Sequence, residues 1–189
     1  MAHPQHAIAL DSCSLLNLFA SRRFPAIAAA MAHPFVIADR VQAETLYVRR
    51  GGSADDANER ELVDTAALVA ANVLTVVPLS PEEMNAFVLF AAEVDDGEAA
   101  TAALALHRGY DVVTDDAKAL RLLRAHVPHV HHYSTLEVLK LWADRNKVDA
   151  AELHAVLVAV RDRANFLPPR RDPLRAWAEA ILAMPPASP

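Results

Sequence analysis

Cysteine is almost absent from this 189-residue chain, which contains only Cys13. A single cysteine excludes a disulfide framework and a cysteine-rich zinc site, and it is typical of a reducing cytosol. Glycine is also scarce, with four residues, and they form neither a P-loop nor a dinucleotide-binding fingerprint. These absences remove several common cofactor and nucleotide sites from consideration.

Long apolar runs and an excess of basic residues are missing as well. The longest candidate span, residues 66–79, is too short for a bilayer and contains Asn72 and Thr75. The first ten residues lack the Lys or Arg of a secretory signal, so we expect a soluble, cytoplasmic protein. The formal net charge of −6 argues against a generic cationic nucleic-acid binder. It does not exclude a nuclease, because local arginines can hold phosphates while metal ions offset acidic residues.

Short apolar segments alternate with helical patterns along the chain. The predicted strands are residues 7–10, 35–38, 73–77, 112–114 and a segment around 130–132. Helices are predicted between them, including one from Asp39 to the Gly51-Gly52 pair and a long one from Ala54 to Asn72. This alternation predicts right-handed crossovers and a mainly parallel sheet in an α/β fold. Further helices are predicted at 135–145, 149–164 and 173–184.

The stretch from Val94 to Leu123 concentrates the acidic residues around predicted element ends. Asp95, Asp96 and Glu98 surround Gly97 at the start of a predicted helix, and Gly109 is placed to end that helix. A short strand follows and ends on the pair Asp115-Asp116. In an open α/β sheet, ligands bind at the carboxyl ends of the strands, which is where this acidic pair falls.

Four carboxylates are predicted to gather at one edge of the sheet. Asp11 ends the first strand and Asp115 ends the fourth, and these strands can be neighbours where the winding of the sheet reverses. Glu44 follows the second strand, and Glu98 precedes the fourth. At about 4 Å and an effective dielectric constant near 20, each pair of charges repels by about 4 kcal/mol. Proton uptake or a divalent cation must relieve this repulsion, and oxygen ligands suit Mg²⁺ or Mn²⁺.

Each acid also has a purely structural interpretation. Asp11 and the Asp115-Asp116 pair can cap the helices that follow them. Glu44 can be a solvated helix residue, and Glu98 can complete a capping box with Asp95. The functional interpretation rests on the coincidence of acids at two strand ends and at the matching helix starts.

Four segments together resemble the PIN-domain nucleases, including the prokaryotic VapC-type toxin ribonucleases of toxin–antitoxin pairs. The segments are Ile8 to Leu18 (IALDSCSLLNL), Val41 to Thr45 (VQAET), Asp95 to Leu106 (DDGEAATAALAL) and Val112 to Leu123 (VVTDDAKALRLL). Carried over by position, the resemblance implies catalytic acids at Asp11, Glu44, Glu98 and Asp115, which with Asp116 would also bind the metal. It implies Mg²⁺ or Mn²⁺ as the cofactor and RNA as the substrate, and its toxin members imply an antitoxin protein and a second copy of the chain as partners.

The resemblance also implies a fold and a domain organisation. The expected fold is a PIN-like three-layer α/β/α arrangement with a central, mainly parallel sheet and a C-terminal helical extension. Residues 1–134 would form the nuclease domain and 185–189 a flexible, Pro-rich tail. Residues 135–184 would form the extension, packed on the core or at an interface because they carry more apolar residues than free helices expose.

Basic residues and two other functions complete the set of expectations. The side chains that could guide a phosphate backbone are Arg22, Arg23, Arg49, Arg50, Lys118, Arg121 and Arg124, of which Arg22, Arg23, Lys118 and Arg121 are the RNA-binding candidates. A solvated helix face is the simpler interpretation for most of them. One alternative function is a non-catalytic PIN-fold module that binds RNA or protein. A second is a phosphohydrolase or receiver-like domain with an aspartyl phosphate, which ranks last because the residues after Asp11 supply no second acid.

Overall fold

The structure, a computed structural model, describes residues 6–44, 46–50 and 59–185. The strands in this part of the chain are β1 (Ile8–Leu10), β2 (Phe35–Ala38), β3 (Tyr47–Arg49), β4 (Arg60–Leu62), β5 (Leu74–Val77), β6 (Asp111–Val113) and β7 (His132–Tyr133). The helices are α1 (Ser12–Ala20), α2 (Phe24–Ala30), α3 (Asp39–Ala43), α4 (Thr65–Ala70), α5 (Pro81–Phe90), α6 (Asp96–Arg108), α7 (Ala117–His126), α8 (Thr135–Asn146), α9 (Ala150–Ala164) and α10 (Arg175–Leu182). The chain forms two compact units, one of residues 1–15, 32–45 and 64–133, and one of residues 16–31, 46–63 and 134–189.

The first unit contains a five-stranded parallel sheet in the order β5-β2-β1-β6-β7. Every residue of β1 and β2 is buried, as expected for interior strands of a parallel sheet, which read as continuous apolar runs. The five predicted strands all occur, within one or two residues at their ends. The expected α/β class and mainly parallel sheet are therefore confirmed.

Helix α6 lies against the centre of this sheet and contacts β1, β2 and β6. Its alanines at positions 99, 100, 102, 103 and 105 are at most 2% exposed, and such small side chains let a helix approach a sheet closely. The helix ends at Gly109, which has the left-handed conformation (φ 65°) that a glycine adopts without steric strain. Both ends of the predicted helix are thus close to their predicted places.

A buried ion pair joins α6 to α5 in the same unit. Ser80 and Glu83 form a capping box at the start of α5, where Pro81 occupies the first turn. Glu83 also accepts two hydrogen bonds from the Arg108 guanidinium, at 2.5 and 2.7 Å, and the same guanidinium donates to the carbonyl of Pro78. The side chains of Glu83 and Arg108 are only 4% and 16% exposed, so this pair fixes the two helices in a poorly solvated environment.

Two of the predicted helices are wrong. The helix predicted from Asp39 ends at Ala43, and residues 47–49 form β3 instead, because the segment alternates buried Leu46 and Val48 with exposed neighbours. The long helix predicted over 54–72 is replaced by β4 at 60–62 and the short α4, while its first residues, 54–58, and the Gly51-Gly52 pair lie outside the described residues. Antiparallel pairing of β3 with β4 supplies backbone partners that a local pattern does not reveal.

The second unit gathers this hairpin with α2 and the C-terminal helices. Helix α8 packs on α2, and α9 packs on β3 and α10, so the helices after residue 134 share their unit with two earlier segments. The buried guanidinium of Arg163 donates to the carbonyls of Ala20 and Arg49 and to the Glu61 carboxylate. The three predicted C-terminal helices are confirmed, whereas the tail beyond Pro185 lies outside the described residues. In the part of the chain that is described, no helix combines the length and apolar character needed to cross a membrane.

Candidate functional site

The carboxyl ends of β1 and β6 lie side by side at the point where the sheet reverses its winding. The two strands pair in parallel, with Leu10 opposite Val113, so Asp11 and Thr114 follow at the same edge. From β1 the chain adds β2 and β5 on one side, and it then returns to add β6 and β7 on the other. Such a reversal leaves a crevice at the strand ends, and the sequence predicted this placement of Asp11 and Asp115.

Asp11 is the most deeply buried acid of the site, with 1% of its surface exposed. Its Oδ1 accepts a hydrogen bond from the amide of Ser14 at 2.6 Å, so it caps α1 as the structural interpretation required. Its Oδ2 is buried and lacks a hydrogen-bond partner among the described residues. Burial raises the pKa of Asp11 above its usual value, and the nearby hydroxyls of Thr114 and Ser14 act in the opposite direction. Capping therefore explains one oxygen of this carboxylate and leaves the other unexplained.

Glu98 stands at the first turn of α6 and is half-buried. Its Oε2 accepts a long bond of 3.4 Å from the amide of Asp95, which is the N-cap, so the expected capping box is present. Burial and then the charges of Asp116 and Asp11 raise the pKa of Glu98 to about 7. Glu98 therefore shares an electrostatic environment with acids from the ends of both central strands.

Gly97 brings the start of α6 close to α1 and α3. A β-carbon built on Gly97 would lie 2.6 Å from Ser12 Oγ and 2.7 Å from Glu44 Oε1. Glu44 is exposed and ends α3, and this contact places its carboxylate beside the residue that precedes Glu98. Gly97 therefore occupies a close-approach position between three elements.

The two acids after β6 have different surroundings. Asp116 is the N-cap of α7, and its Oδ1 accepts from the amides of Lys118 and Ala119 at 2.6 and 2.9 Å. The Asp116 amide in turn donates to the Thr114 hydroxyl at 3.2 Å. Asp115 is half-buried and takes no part in this cap. Capping thus fixes Asp116, and with it the backbone that carries Asp115.

The charges of these acids all influence one side chain, the thiol of Cys13. Cys13 is exposed, yet partial desolvation of its thiol and then the charges of Asp11, Glu98, Asp115 and Asp116 raise its pKa to about 12. One thiol on the first turn of α1 therefore experiences four carboxylates from three different elements. A thiol with so high a pKa is not a nucleophile at neutral pH.

The donor atoms of the site suit a hard cation, although they are not drawn together tightly. In residues 6–44, 46–50 and 59–185, no three His, Cys, Asp or Glu side chains are close enough to hold a metal ion. The buried, unpaired Oδ2 of Asp11 and the raised pKa of Glu98 are both features that a bound cation would relieve. All of the donors are carboxylate oxygens, which fits the expected Mg²⁺ or Mn²⁺.

The four basic residues singled out in the sequence fall in different units. Lys118 lines an open hollow of about 270 Å³ together with Asp95, Glu98 and Asp116. Arg121 lines a second hollow in the same unit. Arg22 and Arg23 belong to the other unit, where Arg22 donates to a backbone carbonyl and Arg23 forms an ion pair with a glutamate at 2.9 Å.

Hydroxyl side chains around the acids were missed by the sequence reasoning. Ser14 Oγ donates to the Val113 carbonyl at 3.0 Å and links α1 to β6, while Thr101 Oγ1 donates to the Gly97 carbonyl at 2.8 Å within α6. Ser12 Oγ is buried without a partner among the described residues. A usable signal was present, because Ser12, Ser14 and Thr114 stand next to or near acids that follow strands.

Comparison of the chain with protein-family models gave no match, and comparison with curated proteins gave none either. Its function is therefore inferred from the chemistry of this site together with the resemblance of its motifs.

Proposed function

We propose that this chain is a PIN-type ribonuclease that uses Mg²⁺ or Mn²⁺ to hydrolyse RNA phosphodiester bonds. The observation that supports this most strongly is the buried Oδ2 of Asp11, which has no partner among the described residues. An unpaired buried polar atom is destabilising by about 1–3 kcal/mol, and more for a charged group. A cation at this position would give that oxygen a partner.

The surrounding electrostatics support the same function. The pKa values of Asp11 and Glu98 are both raised, so the site without a cation favours protons on its carboxyl groups. A divalent cation replaces those protons by providing positive charge directly. Perturbed carboxylates in a crevice at strand ends are typical of functional sites.

The residues of the site have different roles in the proposed reaction. Asp11, Glu44, Glu98 and Asp115 would hold the metal, and Asp116 keeps the backbone at Asp115 in place through its cap. A bound divalent ion supplies an activated water and stabilises the leaving oxygen. Ser14 orients Asp11 through its amide.

A non-catalytic PIN-fold module is the second candidate, and one observation favours it. Three of the acids have complete or partial structural roles, since Asp11 and Asp116 cap helices and Glu98 closes a capping box. The acids also lack a tight set of three within the described residues. Under this alternative the chain would bind RNA or protein without cleaving it.

Substitution of the two strand-end acids tests the proposal. We expect Asp11→Asn and Asp115→Asn each to abolish Mn²⁺-dependent cleavage of single-stranded RNA, because the amide lacks the anionic oxygen that a hard cation requires. Circular dichroism and melting curves establish that each variant is folded. Asp144→Asn is the matched control, because Asp144 is 62% exposed in an ion pair of the other unit, and it should cleave normally.

The outcomes separate the two candidates. Wild-type rates for a folded Asp11→Asn variant would refute the assigned site. Wild-type protein that binds RNA but never cleaves it, with any divalent metal, would favour the non-catalytic module.

A further inference from the structure

A hollow of about 700 Å³ lies within the second unit, whereas the acids of the candidate site belong to the first. Its volume falls within the range of about 300–1,000 Å³ that is typical of small-molecule sites. One wall is the turn at residues 21–23 that joins α1 to α2, and the other is a face of α9. The turn is held by Ser21, whose hydroxyl donates to the Leu18 carbonyl and accepts from the Arg23 amide at 3.1 Å. The hollow is therefore bounded by two elements that internal hydrogen bonds hold in place.

The wall that α9 contributes is largely apolar. Ala155, Val158 and Ala159 stand three and four residues apart, which places them on one face of the helix. Val156 adds a side chain that is only 3% exposed. All four side chains are short, so they leave the space beside the helix unfilled. An apolar wall of this kind suits a ligand whose body is apolar.

The charged residues around the hollow are neutralised, with one exception. Three ion pairs involve the other charged residues of the walls: Arg23 with Glu152, Arg161 with Asp162, and Arg163 with Glu61. Arg22 is exposed, and it forms no ion pair with any residue that the structure describes. One of its nitrogens donates to the Arg50 carbonyl at 3.0 Å, which uses one of the five N–H groups of a guanidinium. The hollow thus carries one surplus positive charge beside its apolar wall.

We propose that this hollow binds a small amphipathic carboxylate, with its apolar body against α9 and its carboxylate on Arg22. A guanidinium pairs with a carboxylate through two parallel hydrogen bonds, and burial of an apolar body against the alanines and valines adds to the affinity. An RNA strand fits these walls poorly, because its phosphates would lie on apolar surface and one surplus cation offsets only one of them. The inference is independent of the proposed ribonuclease function, since it uses none of the acids.

Calorimetric titration with decanoate tests the site, and decan-1-ol and decyltrimethylammonium serve as neutral and cationic ligands of the same chain length. We expect wild-type protein to bind decanoate with a negative heat-capacity change, because apolar surface is buried. Decan-1-ol should bind about tenfold more weakly, since it lacks the charge-assisted hydrogen bonds, and the cation should bind more weakly still. Arg22→Gln should lower the affinity for decanoate about tenfold and leave that for decan-1-ol unchanged. Arg171→Gln removes an exposed arginine of the same unit that does not line the hollow, and it should change neither affinity.

A second variant tests the α9 wall without altering the turn. Ala155 is exposed, and glutamate is a good helix former, so Ala155→Glu should fold normally while it places a negative charge in the hollow. It should weaken binding of decanoate much more than binding of decan-1-ol. Ala151→Glu makes the same change one turn earlier on α9, at an exposed position outside the hollow, and should bind like the wild type. Melting curves establish that each variant is folded.

Several results would overturn the proposal. These are absence of decanoate binding by the wild type, equal affinities for decanoate and decan-1-ol, and equal effects of Ala155→Glu and Ala151→Glu. Light scattering that shows a wild-type dimer and an Ala155→Glu monomer would assign the hollow to a second copy of the chain. Tighter binding of an oligouridylate than of decanoate, weakened by Arg22→Gln, would assign it to RNA. Loss of RNA cleavage in Asp11→Asn has no bearing on these measurements, so the two proposals fail separately.

Discussion

The close approach at Gly97 makes substitution by alanine a demanding test of the site geometry. The added methyl group would lie 2.6 Å from Ser12 Oγ and 2.7 Å from Glu44 Oε1, and both distances are too short for van der Waals contact. Glu44 is exposed and can swing its carboxylate away. Ser12 has a short side chain on the first turn of α1, so it relieves the clash only by changing rotamer or by shifting the helix.

Two opposing effects determine the stability of Gly97→Ala. Alanine in place of a helical glycine stabilises by at most about 1 kcal/mol. Overpacking a tight contact destabilises by about 1–3 kcal/mol. We therefore expect a net loss of about 1 kcal/mol, which lowers the melting temperature by about 2–4 °C in a protein of this size. Cleavage should fall much further, because displaced Ser12 and Glu44 disturb the acids around Asp11.

Gly109→Ala is the control variant, because it should lose about as much stability as Gly97→Ala. Gly109 has φ +65° and open space around its α-carbon, so alanine there is strained by about 1 kcal/mol without touching the site. Urea unfolding and Mn²⁺-dependent RNA cleavage are measured for both variants. We expect similar losses of stability, with cleavage retained only by Gly109→Ala. A Gly97→Ala protein that is more stable than the wild type and fully active would refute the close approach and the place of Glu44 in the site.

Two further predictions concern stability. Because the pKa of Glu98 is raised from 4.5 to about 7, the folded protein binds more protons than the unfolded chain, so metal-free stability should fall as pH rises from about 4.5 to about 7 and then level off. Urea titrations at several pH values should show a shallower fall in stability for Glu98→Gln, and a pH profile unchanged by this substitution would contradict the role of Glu98. Above pH 7, Mn²⁺ at a hundred times its dissociation constant should add about 2.7 kcal/mol to the free energy of unfolding. Arg108→Met leaves the Glu83 carboxylate buried without its ion-pair partner, so it should lower the free energy of unfolding by about 3–5 kcal/mol. Adding Glu83→Gln to this variant removes the unpaired charge and should restore part of the loss. A loss below about 1 kcal/mol in the same titration would mean that water replaces the guanidinium.

Much of the fold was predictable because the relevant signals are local. The strands β1 and β2 are short apolar runs, and the capping residues Ser80 and Gly109 mark helix ends directly. The hairpin of β3 and β4 was not predicted, because its pairing joins residues 47–49 to residues 60–62 across an intervening segment. Exposed Arg60 and half-buried Glu61 in β4 also resemble residues of a solvated helix.

The candidate site was predictable in composition and less so in geometry. Parallel strands place their carboxyl ends at one edge, so Asp11 and Asp115 were expected near each other, and the pairing of β1 with β6 brings the strand ends together. The capping role of Asp116 and the N-cap at Asp95 were among the alternatives that local spacing left open. Nothing in the sequence indicated that Arg22 and Arg23 would lie in one unit and Lys118 and Arg121 in the other.

The sequence by itself determined the alternation of strands and helices, the acids at the strand ends and the caps, because each depends on residues within one or two turns of the chain. Tertiary structure alone decided two other features. It buried Asp11 so that one carboxylate oxygen has no partner among the described residues, and it brought Gly97 into close contact with Ser12 and Glu44. These features depend on which surfaces meet across long separations in sequence, and burial and electrostatic coupling arise only when those surfaces exclude water.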